Sequence, residues 1–251
     1  MALLVEFDIL RFTLRAARTN DMRTIGLLGG MSWESSILYY RIINEQTRQR
    51  LGGVHSARSL MLSVDFADIE KLQHAGQWDE LTQVMQDVAR QLERGGADFL
   101  VLCTNTMHRM ADAITDAVKI PLLHIADPTA QHIKAAGFKK IALLGTAFTM
   151  EGNFYKGRLS ELHGLEVMVP EAEDRRAIHQ IIYEELVIGV VRPESREVYR
   201  QAIARLVQNG AEAIILGCTE ITLLVGEADS PVPLFDTTAL HAIAAVDFAL
   251  K

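Results

Sequence analysis

The sequence contains little cysteine, proline or aromatic residue. Of its 251 residues, two are cysteine, six are proline and 6% are aromatic. Two cysteines in a chain of this length do not indicate a disulfide framework, so we expect a reducing, cytoplasmic setting. The formal net charge of −7 and the lack of a basic block argue against nucleic acid as a partner. No apolar run reaches the roughly 18 residues of a membrane span, so a small molecule is the expected ligand.

Hydrophobic residues make up 49% of the chain, enough for one large domain or two small ones. Apolar runs ending in glycine alternate with segments of helical periodicity, which predicts parallel sheets with right-handed crossovers. The predicted strands are residues 24–30, 58–65, 99–103, 120–124, 140–146, 214–217 and 231–234. The predicted helices are 31–50, 68–75, 78–94, 109–118, one opened by Asp127-Pro128, 150–162, 174–188, 193–208 and 236–250.

Residues 1–21 are interpreted as an N-terminal extension. The segment is apolar but carries acidic residues and no small-residue cleavage site, which argues against a signal peptide. A strong strand follows Met22 directly. We therefore expect either that Met22 is the functional start or that the extension is peripheral.

An internal repeat organises the rest of the chain. Three segments recur in the same order, about 110 to 116 residues apart: 25–30 with 141–146, 102–106 with 216–220, and 121–129 with 233–238. Three matches in register predict two pseudo-symmetric α/β halves that face each other. We assign residues 22–126 and 237–251 to the first half and 127–236 to the second. The active site is expected in the cleft between them, at the strand ends.

The two equivalent strand ends carry different side chains. The repeat aligns Thr104 with Cys218, and Cys103 with Gly217. Cys103 is therefore interpreted as the last buried strand residue, whereas Cys218 lies at the turn, where a thiol is suited to chemistry. Two groups on opposite faces of a bound carbon suit a proton transfer. Because the α-carbon of an amino acid is a very weak acid, nearby donors must stabilise the charge that develops.

These strand ends resemble a known family. Residues 102–108 (Leu-Cys-Thr-Asn-Thr-Met-His) and 217–220 (Gly-Cys-Thr-Glu) look like the two signatures of the aspartate/glutamate racemase family, and residues 26–32 resemble its opening segment. The resemblance covers residues 22–251. It implies two Rossmann-like halves, cofactor-independent racemisation of an amino acid by two opposed cysteines, and a homodimer. By the family pattern, Cys218 is the base that acts on the L-enantiomer.

The sequence departs from this pattern at Thr104, where the first signature usually has cysteine. A hydroxyl is a far weaker acid than a thiol. We therefore expect an asymmetric reaction, in which Cys218 deprotonates an L-amino acid and Thr104 relays a proton at the other face. L-substrates should be processed much better than D-substrates, as in an L-aspartate/L-glutamate-specific branch of the family.

The supporting residues are assigned mainly through the resemblance. Asn105 and Thr106 are expected to bind the α-carboxylate. Arg58 matches a position that contacts the side-chain carboxylate, although a solvated charge at the strand end is an alternative. Arg176 replaces a family lysine and keeps its charge with a different geometry. The complete predicted substrate-binding set is Met31, Arg58, Gln73, Asn105, Thr106, Arg176, Thr219 and Glu220.

No cofactor or metal is expected. The histidines show no metal-ligand spacing, and residues 26–30 do not form a dinucleotide-binding G-x-G-x-x-G loop. His108 is interpreted as a structural hydrogen-bonding residue. Two other functions stay open: a single-cysteine decarboxylase or maleate-isomerase-like enzyme of the same superfamily, and a non-catalytic amino-acid-binding protein that lost one base.

Overall fold

The structure is a computed structural model that describes residues 22–251 of the chain. The predicted extension, residues 1–21, lies outside the described residues. Within the described part, two four-stranded parallel sheets are each covered by helices. The predicted α/β class with parallel sheets is therefore confirmed.

The first sheet is built from the N-terminal part of the chain. Its elements in chain order are β1 (Ile25–Gly29), α1 (Trp33–Leu51), β2 (Ser59–Ser63), α2 (Phe66–His74), α3 (Trp78–Gly95), β3 (Phe99–Leu102), a 3-10 helix (Thr106–Met110), α4 (Ala111–Ala117) and β4 (Leu122–Leu123). The strand order is β2-β1-β3-β4, and all pairs are parallel. The central strands β1 and β3 are buried throughout, which explains why their sequences are continuous apolar runs.

The second sheet repeats this arrangement. Its elements are α5 (Ala126–Ala135), β5 (Lys140–Gly145), α6 (Ala147–Glu151), α7 (Asn153–Gly157), a π-helical turn (Arg158–Leu162), β6 (Glu166–Met168), α8 (Ala172–Glu184), a 3-10 turn (Leu186–Ile188), α9 (Pro193–Gln208), β7 (Ala213–Gly217), two 3-10 turns (Thr219–Leu223 and Glu227–Asp229) and β8 (Leu234–Asp236). The strand order is β6-β5-β7-β8, again all parallel.

Strand register makes the two halves equivalent residue by residue. Leu28 of β1 pairs with Leu102 of β3, and Leu144 of β5 pairs with Leu216 of β7. Thr104 lies two residues after Leu102, and Cys218 lies two residues after Leu216. The two residues therefore occupy equivalent places in the two halves.

The last helix, α10 (Thr237–Ala249), packs against the first sheet. Asp236 caps it by accepting hydrogen bonds from the backbone N–H groups of Thr238 and Ala239. Its buried face shares one hydrophobic cluster with β1, β3 and α1, formed by Met22, Ile25, Leu27, Tyr39, Ile43, Phe99, Val101, Cys103, Ala242, Ala245, Val246 and Ala249. The C-terminal helix thus links the end of the second sheet to the core of the first.

Candidate active site

A cavity lies where the carboxyl ends of both sheets meet. Its free volume is about 20 Å³, on the order of one water molecule. Residues of both halves form its wall: Met31, Phe66, Gln73, Thr104, Asn105, Thr106, Thr146, Ile182, Tyr183, Val187, Gly217, Cys218, Thr219 and Glu220. The structure brings together eight of the ten residues that the sequence analysis singled out, including Thr104 and Cys218.

Two glycines allow the chain to pass close to itself around this cavity. Gly30 has φ of 92°, and a Cβ there would lie 2.2 Å from the carbonyl oxygen of Val64. A Cβ on Gly217 would lie 2.8 Å from the carbonyl oxygen of Leu144. A side chain at Gly217 would push β7 away from β5 and displace the cysteine that follows.

Cys218 is half-buried and directly follows β7 in extended conformation, with φ of −145° and ψ of 133°. Burial raises the pKa of its thiol well above the usual value, and the neighbouring Glu220 carboxylate raises it further. Backbone hydrogen bonds from Glu220 and Thr219 act in the opposite direction. The net result is a protonated thiol at neutral pH.

Glu220 is a buried carboxylate, 3% exposed, that accepts four hydrogen bonds. Its Oε1 accepts from the hydroxyls of Ser32 and Ser35, each at 2.7 Å. Its Oε2 accepts from the Cys218 thiol at 3.0 Å and the Thr219 hydroxyl at 2.6 Å. The two serines belong to the first half, so this carboxylate joins the halves directly beside the thiol.

Thr104 is buried and follows β3 in the first half. Its carbonyl oxygen accepts a hydrogen bond of 2.7 Å from Nδ1 of His108, whose Nε2 accepts from the backbone N–H of Ile125 at 3.2 Å. Burial lowers the pKa of His108 well below its usual value, and the nearby His124 lowers it further. His108 is thus a neutral residue that holds the Thr104 backbone, which confirms its predicted structural role.

Asn105 has a buried oxygen without a partner in the described part of the chain. Its Nδ2 donates to the hydroxyl of Thr237 at 3.0 Å, and that hydroxyl donates to the carbonyl oxygen of Leu216 at 2.8 Å. This chain of bonds fixes the orientation of the amide and leaves Oδ1 unpaired. A buried acceptor without a donor is costly unless a ligand supplies one.

Hydroxyl groups cluster behind Thr106. Its Oγ1 lies 3.0 Å from the hydroxyl of Thr146 and 3.1 Å from that of Thr149. Thr146 also caps α6, because its side chain accepts a hydrogen bond from the backbone N–H of Thr149. Thr106 is therefore bound to the second half by hydrogen bonds on its side chain.

Gln73 and Tyr183 close the opposite side of the cavity. Gln73 is 3% exposed and receives a hydrogen bond of 2.9 Å from the Tyr183 hydroxyl, across the two halves. The Tyr183 ring lies 6.4 Å from Phe66 and 4.9 Å from His74, measured between centroids. An aromatic cluster thus covers the cleft.

Two predicted binding residues lie elsewhere. Arg58 is exposed and precedes β2, at the amino end of that strand. Because the cavity lies at the carboxyl ends of the strands, Arg58 cannot line it, and its assignment to the substrate is corrected. Arg176 is exposed on α8 about two turns before Tyr183 and is absent from the cavity wall. Its predicted contact with substrate stays a prediction.

Cys103 is fully buried in the first core, and burial raises the pKa of its thiol. The burial agrees with the predicted structural role, but Cys103 is not a strand residue, because β3 ends one residue earlier at Leu102. Other residues of the wall were not among the predicted site residues. The repeat offers a signal for Thr146: it aligns this residue with Gly30, so both lie at the carboxyl end of the first strand of their half. No sequence motif marks the remaining wall residues, whose packing across the cleft depends on tertiary structure. They are Phe66, Ile182, Tyr183 and Val187.

Within residues 22–251, no cluster of three or more histidine, cysteine, aspartate or glutamate side chains is arranged to hold a metal ion. No helix in that range is long and apolar enough to cross a membrane. The cavity itself combines one thiol, one carboxylate and several hydroxyl and amide groups. The thiol, the carboxylate and the hydroxyls are groups of the kind that can exchange protons with a small molecule.

Comparison with known proteins assigns this architecture to a class. The sequence profile described as Asp/Glu/hydantoin racemase matches residues 28–245. The chain is similar to the crystal structure of a candidate Asp/Glu racemase from Yersinia pestis, with 53% identity, 92% of this chain and 100% of that chain covered, and a TM-score of 0.85. It is also similar to an aspartate racemase homologue from Pyrococcus horikoshii OT3, with 32% identity, 92% and 100% coverage, and a TM-score of 0.78.

A curated relative is more distant. The broad specificity amino-acid racemase RacX of Bacillus subtilis is 28% identical over 167 residues, which cover 65% of this chain and 70% of the relative. Taken with the fold and the cleft, these matches define an isomerase of the racemase class. The chain belongs to the Asp/Glu/hydantoin racemase family.

Proposed function

We propose that this protein racemises an amino acid without a cofactor, by moving the α-proton between Cys218 and Thr104. One observation carries the proposal: the two residues occupy equivalent places in the two halves and line the same cavity. A planar carbanion bound between them would meet a thiol on one face and a hydroxyl on the other. Cys218 acts on the L-enantiomer, as the family pattern implies.

The equilibrium between enantiomers limits the asymmetry that is expected between L- and D-substrates. L- and D-amino acids have equal free energies, so complete inversion must have the same kcat/KM in both directions. The difference between a thiol and a hydroxyl therefore belongs to proton exchange at each face. The α-proton of an L-substrate should exchange rapidly with D₂O, and that of the D-enantiomer slowly.

Two substrate classes are proposed. The names of the relatives and of the family favour L-aspartate and L-glutamate. The cavity wall favours a second class, because among residues 22–251 it includes no lysine, arginine or histidine to pair with a side-chain carboxylate. Gln73, Tyr183 and Phe66 would instead suit an uncharged side chain. RacX, described as a broad specificity racemase, supports this second candidate.

Asn105 and Thr106 bind the α-substituents of the substrate in this proposal. The sequence analysis assigned both to the α-carboxylate. The unpaired Oδ1 of Asn105 is an acceptor, which suits the α-ammonium group. The carboxylate then faces Thr106 and the opening of its 3-10 helix, where backbone N–H groups lack intrahelical partners.

Three broader assignments belong to the same proposal. The halves comprise residues 22–126 with 237–251 and residues 127–236. The protein forms a homodimer, supported by an exposed apolar face on α1 with Trp33, Ile37 and Tyr40 at 61%, 53% and 54% exposure. It works in a reducing cytoplasm, supported by two free cysteines.

The test is deuterium incorporation at the α-carbon, followed by ¹H NMR in D₂O. L-Asp, L-Glu and a panel of uncharged L-amino acids are incubated with wild type, Cys218→Ala and, as a matched control, Cys103→Ala. We expect exchange with at least one amino acid by wild type and Cys103→Ala, and none by Cys218→Ala. Equal exchange by wild type and Cys218→Ala would show that Cys218 is not the base.

Other results would favour the alternatives. Binding of an amino acid without any exchange indicates a non-catalytic binding protein. Release of carbon dioxide from a malonate, or isomerisation of maleate, in place of α-exchange indicates the decarboxylase or isomerase chemistry of the superfamily.

A further inference from the structure

Thr237 is a buried residue that hydrogen-bonds to segments of both sheets without lining the cavity. It begins α10, directly after β8 of the second sheet. Its hydroxyl accepts a hydrogen bond of 3.0 Å from Nδ2 of Asn105, which lies just after β3. The same hydroxyl donates a hydrogen bond of 2.8 Å to the carbonyl oxygen of Leu216 in β7. One oxygen atom therefore connects Asn105 with the strand that precedes Cys218.

The single proton of the Thr237 hydroxyl decides which end of the Asn105 amide faces it. A hydroxyl has one hydrogen to donate and two lone pairs that accept. The Thr237 proton is donated to the Leu216 carbonyl oxygen, so the hydroxyl can only accept from Asn105. The amide NH2 group satisfies this requirement, whereas the amide oxygen would set two acceptors against each other. Nδ2 is therefore held at Thr237, and Oδ1 is held at the other end of the amide.

Oδ1 of Asn105 is the end of the amide that is left for a ligand. The atom is buried and accepts no hydrogen bond from any residue in the range 22–251, and Asn105 lines the cavity. An amide oxygen accepts hydrogen bonds and cannot donate them. A bound molecule with an N–H or O–H group at this point would satisfy it. A molecule that presents only a carbonyl oxygen there would leave the buried acceptor unsatisfied, which is costly.

We propose that Thr237 is a positioning residue that keeps the Asn105 oxygen available to the ligand, so that the cleft selects a hydrogen-bond donor on the α-carbon. The inference rests on the proposed function, because it explains how the Asn105 amide is oriented to receive the α-ammonium group. Thr237 acts through Asn105 and does not touch the substrate. Without the hydroxyl, the Asn105 nitrogen loses the acceptor that holds it, and the amide can turn to offer its NH2 group to the ligand.

The test compares three ligands that share one carbon skeleton: an L-amino acid, its 2-hydroxy acid and its 2-oxo acid. The hydroxy and oxo acids carry the same charge at neutral pH, so the ratio of their dissociation constants isolates the hydrogen bond at the α-substituent. Isothermal titration calorimetry measures binding of L-glutamate, (S)-2-hydroxyglutarate and 2-oxoglutarate, and of the corresponding sets built on L-aspartate and L-leucine. The hydroxy acid should bind to wild type at least about tenfold more tightly than the oxo acid.

Thr237→Val removes the hydroxyl and keeps the shape of the side chain. The ratio of dissociation constants should fall to about one. KM for the L-amino acid should rise about tenfold with little change in kcat, because the bond to Asn105 is present both before and during proton transfer. Thr237→Ser keeps the hydroxyl and should retain the wild-type ratio and KM.

Thr47→Val is the matched control. Thr47 is also buried and donates a hydrogen bond of 2.8 Å to a backbone carbonyl oxygen, that of Ile43 in α1. It lies outside the cavity wall. The variant therefore loses a comparable buried hydroxyl, and it should retain the wild-type ratio and KM even where its stability falls.

An unchanged ratio in Thr237→Val overturns the inference, and so does loss of the ratio in Thr237→Ser or Thr47→Val. If Thr237→Val does not fold, Thr237→Ala takes its place with the same expected ratio. Equal binding of the hydroxy and oxo acids by wild type, or binding of none of these compounds, overturns the inference without any variant. Absence of α-proton exchange in wild type refutes the proposed function instead. The binding ratios need no turnover, so they still decide the role of Thr237.

Discussion

Thr104 and Cys218 stand at equivalent positions, yet one carries oxygen and the other sulfur. A hydroxyl holds its proton far more tightly than a thiol, whose usual pKa is about 8.5. The hydroxyl can donate a proton to a carbanion, but once it is protonated again it is a poor base. In the proposed reaction, the chemical difference between the two faces of the substrate therefore lies in the side chain of Thr104.

Thr104→Cys should make the two faces similar. A thiol at this position supplies a base for the D-enantiomer, so we expect α-proton exchange of the D-substrate to rise at least about tenfold, within the range of general acid–base effects. Exchange is measured for each pure enantiomer in D₂O by NMR.

The control for Thr104→Cys is Thr82→Cys, which places a new thiol on α3 outside the cavity wall. It should leave both rates unchanged. If Thr104→Cys exchanges the D-enantiomer as slowly as wild type does, Thr104 does not face the substrate.

At the scale of elements, the carboxyl end of β7 positions the thiol. Close packing of β7 on β5 requires glycine at position 217, directly before Cys218. Elsewhere in the second half, Asp127 near the start of α5 accepts two hydrogen bonds of 2.7 Å from Arg158 of the π-helical turn.

Gly217→Ala should destabilise the protein and slow catalysis. Its Cβ would meet the Leu144 carbonyl oxygen and the Leu143 side chain, at 2.8 and 2.6 Å, and overpacking of this kind costs about 1–3 kcal/mol. Urea unfolding and L-substrate exchange measure the two effects. Gly226→Ala is the control, because no atom lies within 4 Å of its added Cβ. Equal stability of both variants contradicts the packing argument.

Asp127→Asn should lower stability by about 1.5–3 kcal/mol at neutral pH, the range for hydrogen bonds to charged groups. Burial raises the pKa of Asp127, but Arg158 and His163 outweigh it and lower the pKa overall. A lowered folded pKa means that this stabilisation is present above the unfolded pKa of about 3.9. It is lost as pH falls through the folded pKa.

The difference between wild type and Asp127→Asn should therefore shrink when urea unfolding is repeated in increasingly acidic buffer, below about pH 4. A difference that stays constant down to the lowest pH at which both proteins fold would show that Asp127 acts through shape and not through charge.

Much of this element structure follows from the sequence. Helices α1, α3 and α9 begin and end within two residues of prediction, because caps, glycines and apolar periodicity mark them. Other predictions were wrong. The helix expected over 150–162 is interrupted at Gly152, which is extended with ψ of 142°. Pro128 is the third residue of α5, not its first, and β8 begins at Leu234, three residues later than expected.

The sequence also predicts some features of the site and misses others. The repeat alone aligned Thr104 with Cys218, since strand register follows apolar pattern. The short edge strand β6, residues 166–168, was missed because three residues show no periodicity. The direction of β2 argues against the prediction for Arg58, because this residue precedes the strand and the cavity lies at the carboxyl ends of the strands. The contacts of Glu220 with Ser32 and Ser35 span more than 180 positions of the chain, and only tertiary structure reveals them.

At the scale of the whole molecule, we expect the cleft to widen when it admits substrate. A cavity of about 20 Å³ is too small for an amino acid. The two halves are joined over it by Glu220 with the α1 serines on one side and by the Tyr183–Gln73 hydrogen bond on the other. Opening requires at least one of these connections to break.

Tyr183→Phe should make the cleft open more readily. It removes a hydrogen bond worth about 1 kcal/mol and keeps the aromatic ring, so N-ethylmaleimide should modify Cys218 about fivefold faster. Mass spectrometry follows the modified peptide, with buried Cys103 as an unreactive internal reference. Tyr40→Phe, on the exposed face of α1, should react like wild type. If Tyr183→Phe does the same, the Tyr183 hydrogen bond does not hold the halves together.

The most direct test of the central claim is the ratio of initial α-deuteration rates for the pure L- and D-enantiomers of the same substrate with wild-type protein. With a thiol base on one face and a hydroxyl on the other, the L-enantiomer should take up deuterium at least about tenfold faster, although net inversion proceeds with equal kcat/KM in both directions. Equal deuteration rates for the two enantiomers would contradict the assignment of Cys218 and Thr104 to opposite faces.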